Sequence, residues 1–374
     1  MNRRHMLIGG GSLAVVAGAA ALGVRETGSS ANYDTAEQTL RATLAARPSD
    51  RDLIRYATLA PNSHNTQAWR FAAAPGAITI HPDFARRTPI VDPDDHHLFV
   101  SLGCAAENLA LAGAARGMAG DLAFDPKSQS IAFAHRPSAP RPSPMFDAIP
   151  HRQSTRAEYD GRPAASDILA KLQAAAAIPG VDTVLITDRP RIDRIRDLVI
   201  AGNSAQLADP AFVDELKKWL RFSPRYALER GDGLYAAASG NPKFPEWIGQ
   251  RAFDLFFTAK SENDKYARQL DSSAGVVVFS GQREDRDHWV RVGRACQRFA
   301  LQATALGLKH AFINQPIEVA SLRDDMAALA GIPGRRPDIV MRFGHGPLLP
   351  YSPRRPVAAV MTAWWHNDGT DLEG

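Results

Sequence analysis

The chain has very few cysteines and lacks the short motifs of several common enzyme classes. Among 374 residues only Cys104 and Cys296 are cysteines, and no CxxC pair or zinc-ligand spacing occurs. A disulfide framework and a structural zinc site are therefore excluded, while a single bridge between the two thiols stays open. There is no GxSxG elbow, no phosphate-binding P-loop and no HExxH pair. These absences exclude the common nucleophilic, nucleotide-hydrolysing and zinc-peptidase sites.

Strong charge is also missing. The net charge is +4, and no long Lys/Arg block alternates with aromatic residues, so nucleic-acid binding is not expected. The stretch DPDDHH, from Asp92 to His97, contains metal-ligand residue types. Adjacent residues on one loop rarely converge on an ion, and aspartates often cap helices, so we predict no metal site.

One long apolar run is present, and it lies at the N-terminus. Arg3 and Arg4 precede a Gly/Ala-rich run from Met6 to Gly23. This pattern predicts a twin-arginine signal and linker over residues 1–30. We therefore expect export to the periplasm or another extracytoplasmic compartment, without stable membrane insertion afterwards. An uncleaved signal that anchors the chain in the membrane is the alternative.

The remaining chain divides into two similar halves, 31–140 and 141–374, at a proline-rich stretch over 136–150. We predict helices over 35–46 and 49–59, strands over 70–74 and 77–81, and a long helix over 95–116. A second long helix ends near Gly307, and its apolar face coincides with the first when Gly117 is laid on Gly307. This match indicates internal duplication. An aromatic-rich insertion over about 203–265 is either a structural cover or a lid over a site.

The stretch HRQSTRAEYD begins the second half. Side chains two apart in an extended segment point the same way, so Arg152, Ser154 and Arg156 can face one spot. Two guanidinium groups and a hydroxyl suit a phosphate monoester. The alternative is that these arginines are surface ion-pair residues.

This stretch and three later ones resemble nitroreductase-family flavoproteins, in the family's order. They match the Arg-x-Ser-x-Arg/Lys segment, the strand beside the flavin (RQLDSSAGVVVFS), the Pro-Ile-Glu-Gly turn (NQPIEVASL) and the basic C-terminal segment. The resemblance implies an FMN site. Its phosphate ligands would be Arg152, Ser154 and Arg156, with Arg354 or Arg355, and its ring neighbours would be Pro316, Ile317 and Glu318.

The first half supplies a different part of that site. APNSHNTQAWRF resembles the family's Pro-Ser-x-x-Asn-x-Gln-Pro-Trp loop, which in ordinary nitroreductases reaches the flavin from the other subunit. The matching positions are Pro61, Asn62, Ser63 and Asn65. Asn62 and Ala68 depart from the family pattern. We interpret His64 as a loop histidine rather than a proton donor, and the loop could also be a simple helix-ending turn.

The resemblance implies an α+β, nitroreductase-like fold in which two tandem α/β halves are fused as an Acg-type pseudo-dimer. Each half keeps one part of the composite site, so we expect one FMN per chain and a monomer. The implied function is reduction of nitro, quinone or related acceptors through FMN, with a small-molecule electron donor and no protein nucleophile. The alternative is a flavin-binding or storage protein whose site is closed by a lid.

Overall fold

The computed structural model describes residues 26–362, so most of the predicted signal lies outside the described residues. The first half alternates helices with two β-hairpins. Its elements are α1 (Ser30–Leu40), α2 (Asp50–Thr58), β1 (Trp69–Ala74), β2 (Ala77–Pro82), α3 (His96–Ala115), β3 (Met118–Asp125) and β4 (Ser130–Pro137).

The second half is longer and richer in helices. It opens with α4 (Pro144–Ala148), α5 (Ser166–Ala175), β5 (Val181–Ile186), α6 (Arg189–Ala208), α7 (Pro210–Trp219), β6 (Leu220–Arg221), α8 (Pro224–Arg230) and β7 (Leu234–Tyr235). It continues with α9 (Glu246–Phe256), α10 (Ala259–Asp271), β8 (Gly275–Gly281), α11 (Arg286–Ala305), β9 (Lys309–Phe312), α12 (Gln315–Glu318), α13 (Arg323–Leu329), β10 (Ile339–Gly344) and α14 (Val357–Val360).

The two halves contain sheets of the same topology. One sheet has the order β1-β2-β4-β3 and the other has the order β5-β8-β10-β9, and every pairing in them is antiparallel. In each half the long helix follows the second strand of that half's sheet and precedes the third. The connection between the first two strands differs: residues 75–76 join β1 to β2, while residues 187–274 join β5 to β8. The insertion therefore occupies a position where the first half has a tight turn.

The long helices α3 and α11 pack against each other between the two sheets. They begin at residues 96 and 286 and end at 115 and 305, a shift of 190 positions at both ends (286 − 96 and 305 − 115). A Cβ atom on Gly103 would collide with the carbonyl oxygen of Val290, and one on Gly293 would collide with that of Val100. The same shift relates the glycines and the valines, so the two helices cross reciprocally at their closest approach.

These observations confirm the α+β class. The predicted strands and the helices over 49–59 and 95–116 agree with the structure to within one or two residues at each end. The prediction of a helix over 35–46 is wrong in its bounds, because Ser29 accepts a hydrogen bond from the backbone N–H of Asn32 and starts α1 earlier. Cys104 and Cys296 are buried free thiols, so the bridge left open above is not formed.

One helix among residues 26–362, α3, is long and apolar enough to cross a membrane. However, 83% of its apolar stretch is buried inside the protein. This helix is therefore part of the core.

Candidate functional site

A cavity of about 620 Å³ lies where the two halves meet, and we call it the Arg156 cavity. The first half contributes the loop before β1 and one side of α3. The second half contributes Arg156, the turn at α12 and the insertion. The sequence-predicted residues that line it are Pro61, Asn62, Ser63, Arg156 and Glu318. Both parts of the expected composite site thus contribute to one cavity.

The loop over residues 61–67 has a strained backbone. His64, Asn65 and Gln67 have φ angles of 44°, 53° and 54°, in the left-handed region that non-glycine residues seldom adopt. The buried amide of Asn65 holds the loop by donating to the carbonyl oxygens of Gly233 and Pro353, each at 2.9 Å. Strain maintained by surrounding contacts is frequent at functional sites. Asn65 therefore anchors the loop and does not itself line the cavity.

His64 lies in this loop and lines the cavity. Burial, followed by the nearby charge of Arg156, lowers the pKa of His64 to about 4. The imidazole is therefore neutral at neutral pH and can form hydrogen bonds there without carrying a charge. Its Nδ1 atom has no hydrogen-bond partner among the described residues.

The three residues of the Arg-x-Ser-x-Arg segment have different surroundings. Arg156 lines the cavity and forms no ion pair within residues 26–362. Arg152 is 3% exposed, and its Nη2 atom donates to the carbonyl oxygen of Leu59 at 3.1 Å. The Nε and Nη1 atoms of Arg152 have no partner among the described residues. Ser154 forms an isolated parallel bridge with His310, whose two ring nitrogens are also buried without partners.

Arg354 and Arg355, near the C-terminus, hold the loop over residues 61–67 in place. Arg354 donates to the carbonyl oxygens of Thr58, Leu59 and Ala60 at the end of α2, at 2.6, 3.2 and 3.1 Å. It also donates to the Asn65 side chain at 2.9 Å. Arg355 contacts Gln67 through its backbone N–H and its side chain. Their role as phosphate ligands stays a prediction.

The PIE turn forms another wall of the cavity. Pro316 and Ile317 are buried in α12, while Gln315 and Glu318 line the cavity. Glu318 accepts a hydrogen bond from Gln206 Nε2 at 2.6 Å. Burial nevertheless raises the pKa of Glu318 to about 7. This carboxyl group can therefore hold or release a proton near neutral pH.

Glu318 faces a buried histidine at the start of α3. His97 Nδ1 lies 3.8 Å from Glu318 Oε1, and His97 Nε2 has no partner within the described chain. Burial lowers the pKa of His97, so this imidazole is neutral. Sequence reasoning missed this residue as part of the site, although it had singled out DPDDHH.

Asp92, His96 and His97 form one of two groups in the described chain with metal-ligand side chains close together. The oxygens of Asp92 accept hydrogen bonds from the backbone N–H groups of His97 and Leu98, at 2.9 and 3.0 Å. His96 Nε2 lies 2.8 Å from Asp338 Oδ1. Asp92 thus satisfies the first N–H groups of α3, and His96 is paired with Asp338. The absence of a metal here stays a prediction.

The insertion supplies an apolar wall that sequence reasoning anticipated only as a possible lid. The wall side chains are Phe212, Leu216, Leu220, Phe222, Leu234, Phe244, Phe253, Phe256 and Phe257. The insertion is anchored on the first half. Asp232 pairs with Arg86, and Glu215 accepts from the backbone N–H groups of Ile90 and Val91, both at 3.1 Å. These polar contacts hold the wall against the cavity.

A second cavity, of about 940 Å³, corresponds to the first, and we call it the Trp289 cavity. From α3 the Arg156 cavity is lined by His97, Val100, Ser101 and Cys104. From α11 the Trp289 cavity is lined by Asp287, Val290, Arg291 and Arg294, each shifted by 190 positions (287 − 97 and so on), and also by Arg286 and Trp289, which have no counterpart in the first lining. Where the first cavity has the 61–64 loop, the second has Ile178 and Pro179, within the stretch AAAAIPG.

The paired sheets, the crossed central helices and the cavity built from both halves agree with the arrangement that the resemblance to nitroreductases implies. Sequence relatives confirm this resemblance, although no family model matches the chain. The chain is 28% identical over 323 residues to the Mycobacterium tuberculosis (strain H37Rv) protein named "Putative NAD(P)H nitroreductase Rv3131", covering 83% of this chain and 90% of that one. It is 24% identical over 330 residues to the acg protein of the same organism, which has the same description, covering 83% and 94%.

Solved structures show weaker likeness. NADPH:FMN oxidoreductase from Vibrio harveyi, complexed with NAD+, aligns with a TM-score of 0.36 at 14% identity, covering 62% of this chain and 80% of that one. The FMN-dependent nitroreductase NfnB from Mycobacterium smegmatis, in complex with NADPH, aligns at 0.35 and 12% identity, covering 62% and 98%.

Proposed function

We propose that the chain binds one FMN in the Arg156 cavity and uses it as an oxidoreductase that reduces nitro, quinone or related acceptors. One observation carries this proposal: the 61–64 loop of the first half and Arg156 and Glu318 of the second line the same cavity. These segments match different parts of the family's flavin site. The descriptions of the M. tuberculosis relatives support the same activity and a nicotinamide nucleotide as electron donor.

Arg152 and Ser154 do not line the Arg156 cavity, but their chemistry suits the phosphate end of FMN. Within residues 26–362, two donor nitrogens of Arg152 have no partner, and burial lowers its pKa only to about 10, so it is charged at neutral pH. Ser154 lies two residues away on the same extended segment and can add a hydroxyl donor. A buried cation with unused donors is costly unless an anion pairs with it. A phosphate would satisfy both nitrogens.

The resemblance implies a phosphate-ligand role for Arg156, but because Arg156 lines the cavity together with the 61–64 loop, we place it at the ring end instead. The Arg156 guanidinium has no carboxylate partner in the described chain, so its charge can stabilise negative charge on a bound ring. Asn62, Ser63 and the neutral His64 offer uncharged hydrogen-bond groups along the same wall. When bound, FMN supplies the electron transfer itself.

Glu318 is the residue on this wall that can handle a proton. Its pKa of about 7 lets it carry a proton on the cavity side near neutral pH. Gln206 fixes one carboxyl oxygen at 2.6 Å, which leaves Oε1 directed to His97 at 3.8 Å. We infer that Glu318 Oε1 holds a proton for the acceptor.

The equal strand orders, the reciprocal helix crossing and the corresponding cavities support internal duplication. We infer that the chain is a fused pseudo-dimer and a monomer in solution, because α3 and α11 already form the interface that separate subunits would make. The Trp289 cavity would then be the degenerate second site. We also propose export by the twin-arginine route, on the N-terminal pattern alone.

A second candidate function is flavin binding or storage without turnover. The apolar wall of the insertion favours it, because a wall over the ring would keep a nicotinamide from stacking there. Export strengthens this alternative, since free NAD(P)H is scarce outside the cytoplasm.

The visible spectrum of the purified chain, with the released cofactor identified by chromatography, tests the proposal. We expect about one FMN per chain and bleaching by NADH or NADPH under anaerobic conditions. Bound FMN that neither nucleotide reduces would favour storage. Two FMN per chain would show that the Trp289 cavity is also a flavin site. A colourless protein that refuses added FMN would overturn the proposal.

A further inference from the structure

We propose that His310 is a further ligand of the FMN phosphate and makes the site select FMN over riboflavin, the flavin without a phosphate. The inference rests on the proposed function, because it assumes that the flavin lies in the Arg156 cavity. His310 belongs to strand β9 and lies outside every motif that carries the resemblance to nitroreductases.

His310 lies in register with the Arg-x-Ser-x-Arg segment. It is the partner of Ser154 in an isolated parallel bridge, and its carbonyl oxygen accepts from the backbone N–H of Thr155 at 2.8 Å. Bridge partners present their side chains on one face of a sheet, and residues two apart in an extended segment also share a face. The side chains of Arg152, Ser154 and His310 therefore point to the same side. Thr155 Oγ1 donates to Gln153 Oε1 at 3.1 Å, as expected for the opposite face.

This face is the one that borders the Arg156 cavity. Phe312 lies two residues beyond His310 on β9 and lines the cavity. On strand β10 the partner of His310 is Phe343, whose ring packs edge-on against Phe299 of α11 at 5.7 Å. His310 thus lies just beyond the cavity lining, on the side of α11. Ser154 is only half-buried, so a ligand can reach this face.

Four buried nitrogen atoms on this face have no hydrogen-bond partner among the described residues. They are both ring nitrogens of His310 and the Nε and Nη1 atoms of Arg152. Burial and the nearby charge of Arg152 lower the pKa of His310, so the imidazole is neutral and carries one N–H donor. Unpaired polar atoms are costly when buried, and a phosphate monoester offers three acceptor oxygens to these two side chains.

The other half has no such group at the corresponding position. Gly117 and Gly307 follow the two long helices, and the third residue after each is Gly120 and His310, a shift of 190 positions (310 − 120). A Cβ atom on Gly120 would lie 2.1 Å from the carbonyl oxygen of Ala134. Strand β3 therefore admits no side chain there without a backbone shift, whereas β9 presents an imidazole. This difference agrees with one phosphate site per chain.

Titration of the flavin-free full chain with FMN and with riboflavin, followed by flavin fluorescence, tests the inference. We expect the parent chain to bind FMN at least about 10-fold more tightly than riboflavin, because only FMN forms the charge-assisted contacts. His310→Phe should lower FMN affinity about 10-fold and riboflavin affinity less than about 2-fold. His310→Gln keeps a donor and should retain FMN affinity within about 3-fold.

The stability of the flavin-free proteins distinguishes a ligand from a packing residue. Because the imidazole of His310 has no partner in the described chain, an apolar ring of similar size should leave the urea midpoint unchanged or raise it. His288→Phe is the matched control, since His288 is also buried but its Nδ1 lies 2.8 Å from Asp285 Oδ1. That variant should lower the urea midpoint and change the affinity for either flavin less than about 2-fold.

Equal losses of FMN and riboflavin affinity in His310→Phe, or no loss of either, would overturn the inference. A urea midpoint of His310→Phe as low as that of His288→Phe would make the imidazole a packing residue and would also overturn it. Equal binding of the two flavins by the parent chain would remove the phosphate contact and keep the flavin proposal. A parent chain that binds neither flavin would remove the proposed function itself.

Discussion

The Arg156 and Trp289 cavities lie on corresponding faces of α3 and α11, yet their charged groups are arranged differently. Arg156 forms no ion pair in the described chain. In the other cavity Arg291 pairs with Asp287 at 2.7 Å and Arg294 pairs with Glu107 at 2.9 Å. A cation already paired with a carboxylate has little charge left for an anionic ligand. The third arginine of that cavity, Arg286, has no ion pair in the described chain, and its guanidinium lies 4.9 Å from the centre of the Phe99 ring. The shared helices thus set where a cavity forms, and carboxylates hold two of the three arginines in the second one.

The loops that reach each cavity differ as well. Residues 61–67 include three non-glycine positions with positive φ, and the insertion holds this loop through Asn65. The corresponding stretch over 176–180 has its positive φ at Gly180, where it causes no strain. Strain and its supporting contacts therefore belong to one cavity only. We interpret this asymmetry as the result of duplication, after which the site was retained in the Arg156 cavity and lost in the Trp289 cavity.

The largest expected effect concerns the crossing of α3 and α11, the two helices that line the cavities. Gly103→Ala and Gly293→Ala each place a methyl group against a carbonyl oxygen of the facing helix. We expect each to lower the free energy of unfolding by about 3 kcal/mol, because neither backbone can yield without moving a central helix. Urea unfolding curves of the two variants measure this. Nearly equal losses are expected from the reciprocal crossing.

Gly307→Ala is the control for these variants. Gly307 has a φ of 76° and open space around its Cβ position, so only backbone strain of about 1 kcal/mol is expected. If only one of the two crossing glycines is sensitive, the halves are not packed equivalently and the correspondence of the cavities is broken.

The next largest expected effect concerns Arg156, which lines only one of the two cavities. Arg156→Ala removes the unpaired cation, and we expect FMN affinity to fall on the order of 10- to 100-fold, as for loss of a charge-assisted contact. Arg291→Ala removes one of the three arginines that line the other cavity and should change affinity less than about 2-fold. Titration of the flavin-free proteins, followed by flavin fluorescence, measures both. Equal losses would contradict the placement of FMN in the Arg156 cavity.

The sequence predicted the long helices of the fold better than it predicted the surroundings of the site residues. Hydrophobic periodicity and the glycines at 117 and 307 located both long helices, because helical periodicity is a local property. The strands β3 and β4 were not predicted. Arg152 and Arg156 were placed together because they share one face of an extended segment. The structure gives them different neighbours, since Arg152 is drawn to the carbonyl end of α2.

Long-range pairing explains what sequence reasoning could not locate. Glu318 meets Gln206 across 112 positions and His97 across more than that, and neither pairing leaves a local pattern. The histidine was visible in DPDDHH, but nothing in that stretch indicated which carboxylate it would face. Resemblance to a family located the turn at Glu318, whereas the folded chain was needed to show its neighbours.

The smallest expected effect is a pH dependence of the free energy of unfolding, caused by Glu318 in the Arg156 cavity. In the folded protein Glu318 has a pKa of about 7, above the 4.5 of an ordinary glutamate. The folded state therefore binds this proton more tightly than the unfolded state does. The resulting stabilisation is complete at pH below 4.5 and is lost as the pH rises to 7.

Glu318→Gln keeps an oxygen acceptor for Gln206 and removes the titration. We expect it to increase the free energy of unfolding relative to the parent chain at pH 8 by on the order of 1 kcal/mol, below the ceiling of about 3 kcal/mol that the full pKa difference allows. At pH 4 the two proteins should be alike. Glu284→Gln, at an exposed acid of the Trp289 cavity, is the matched control. If the stability curve of Glu318→Gln is parallel to that of the parent chain from pH 4 to pH 8, Glu318 does not hold a proton near neutral pH. The chemical difference between the two cavities then rests on Arg156 alone.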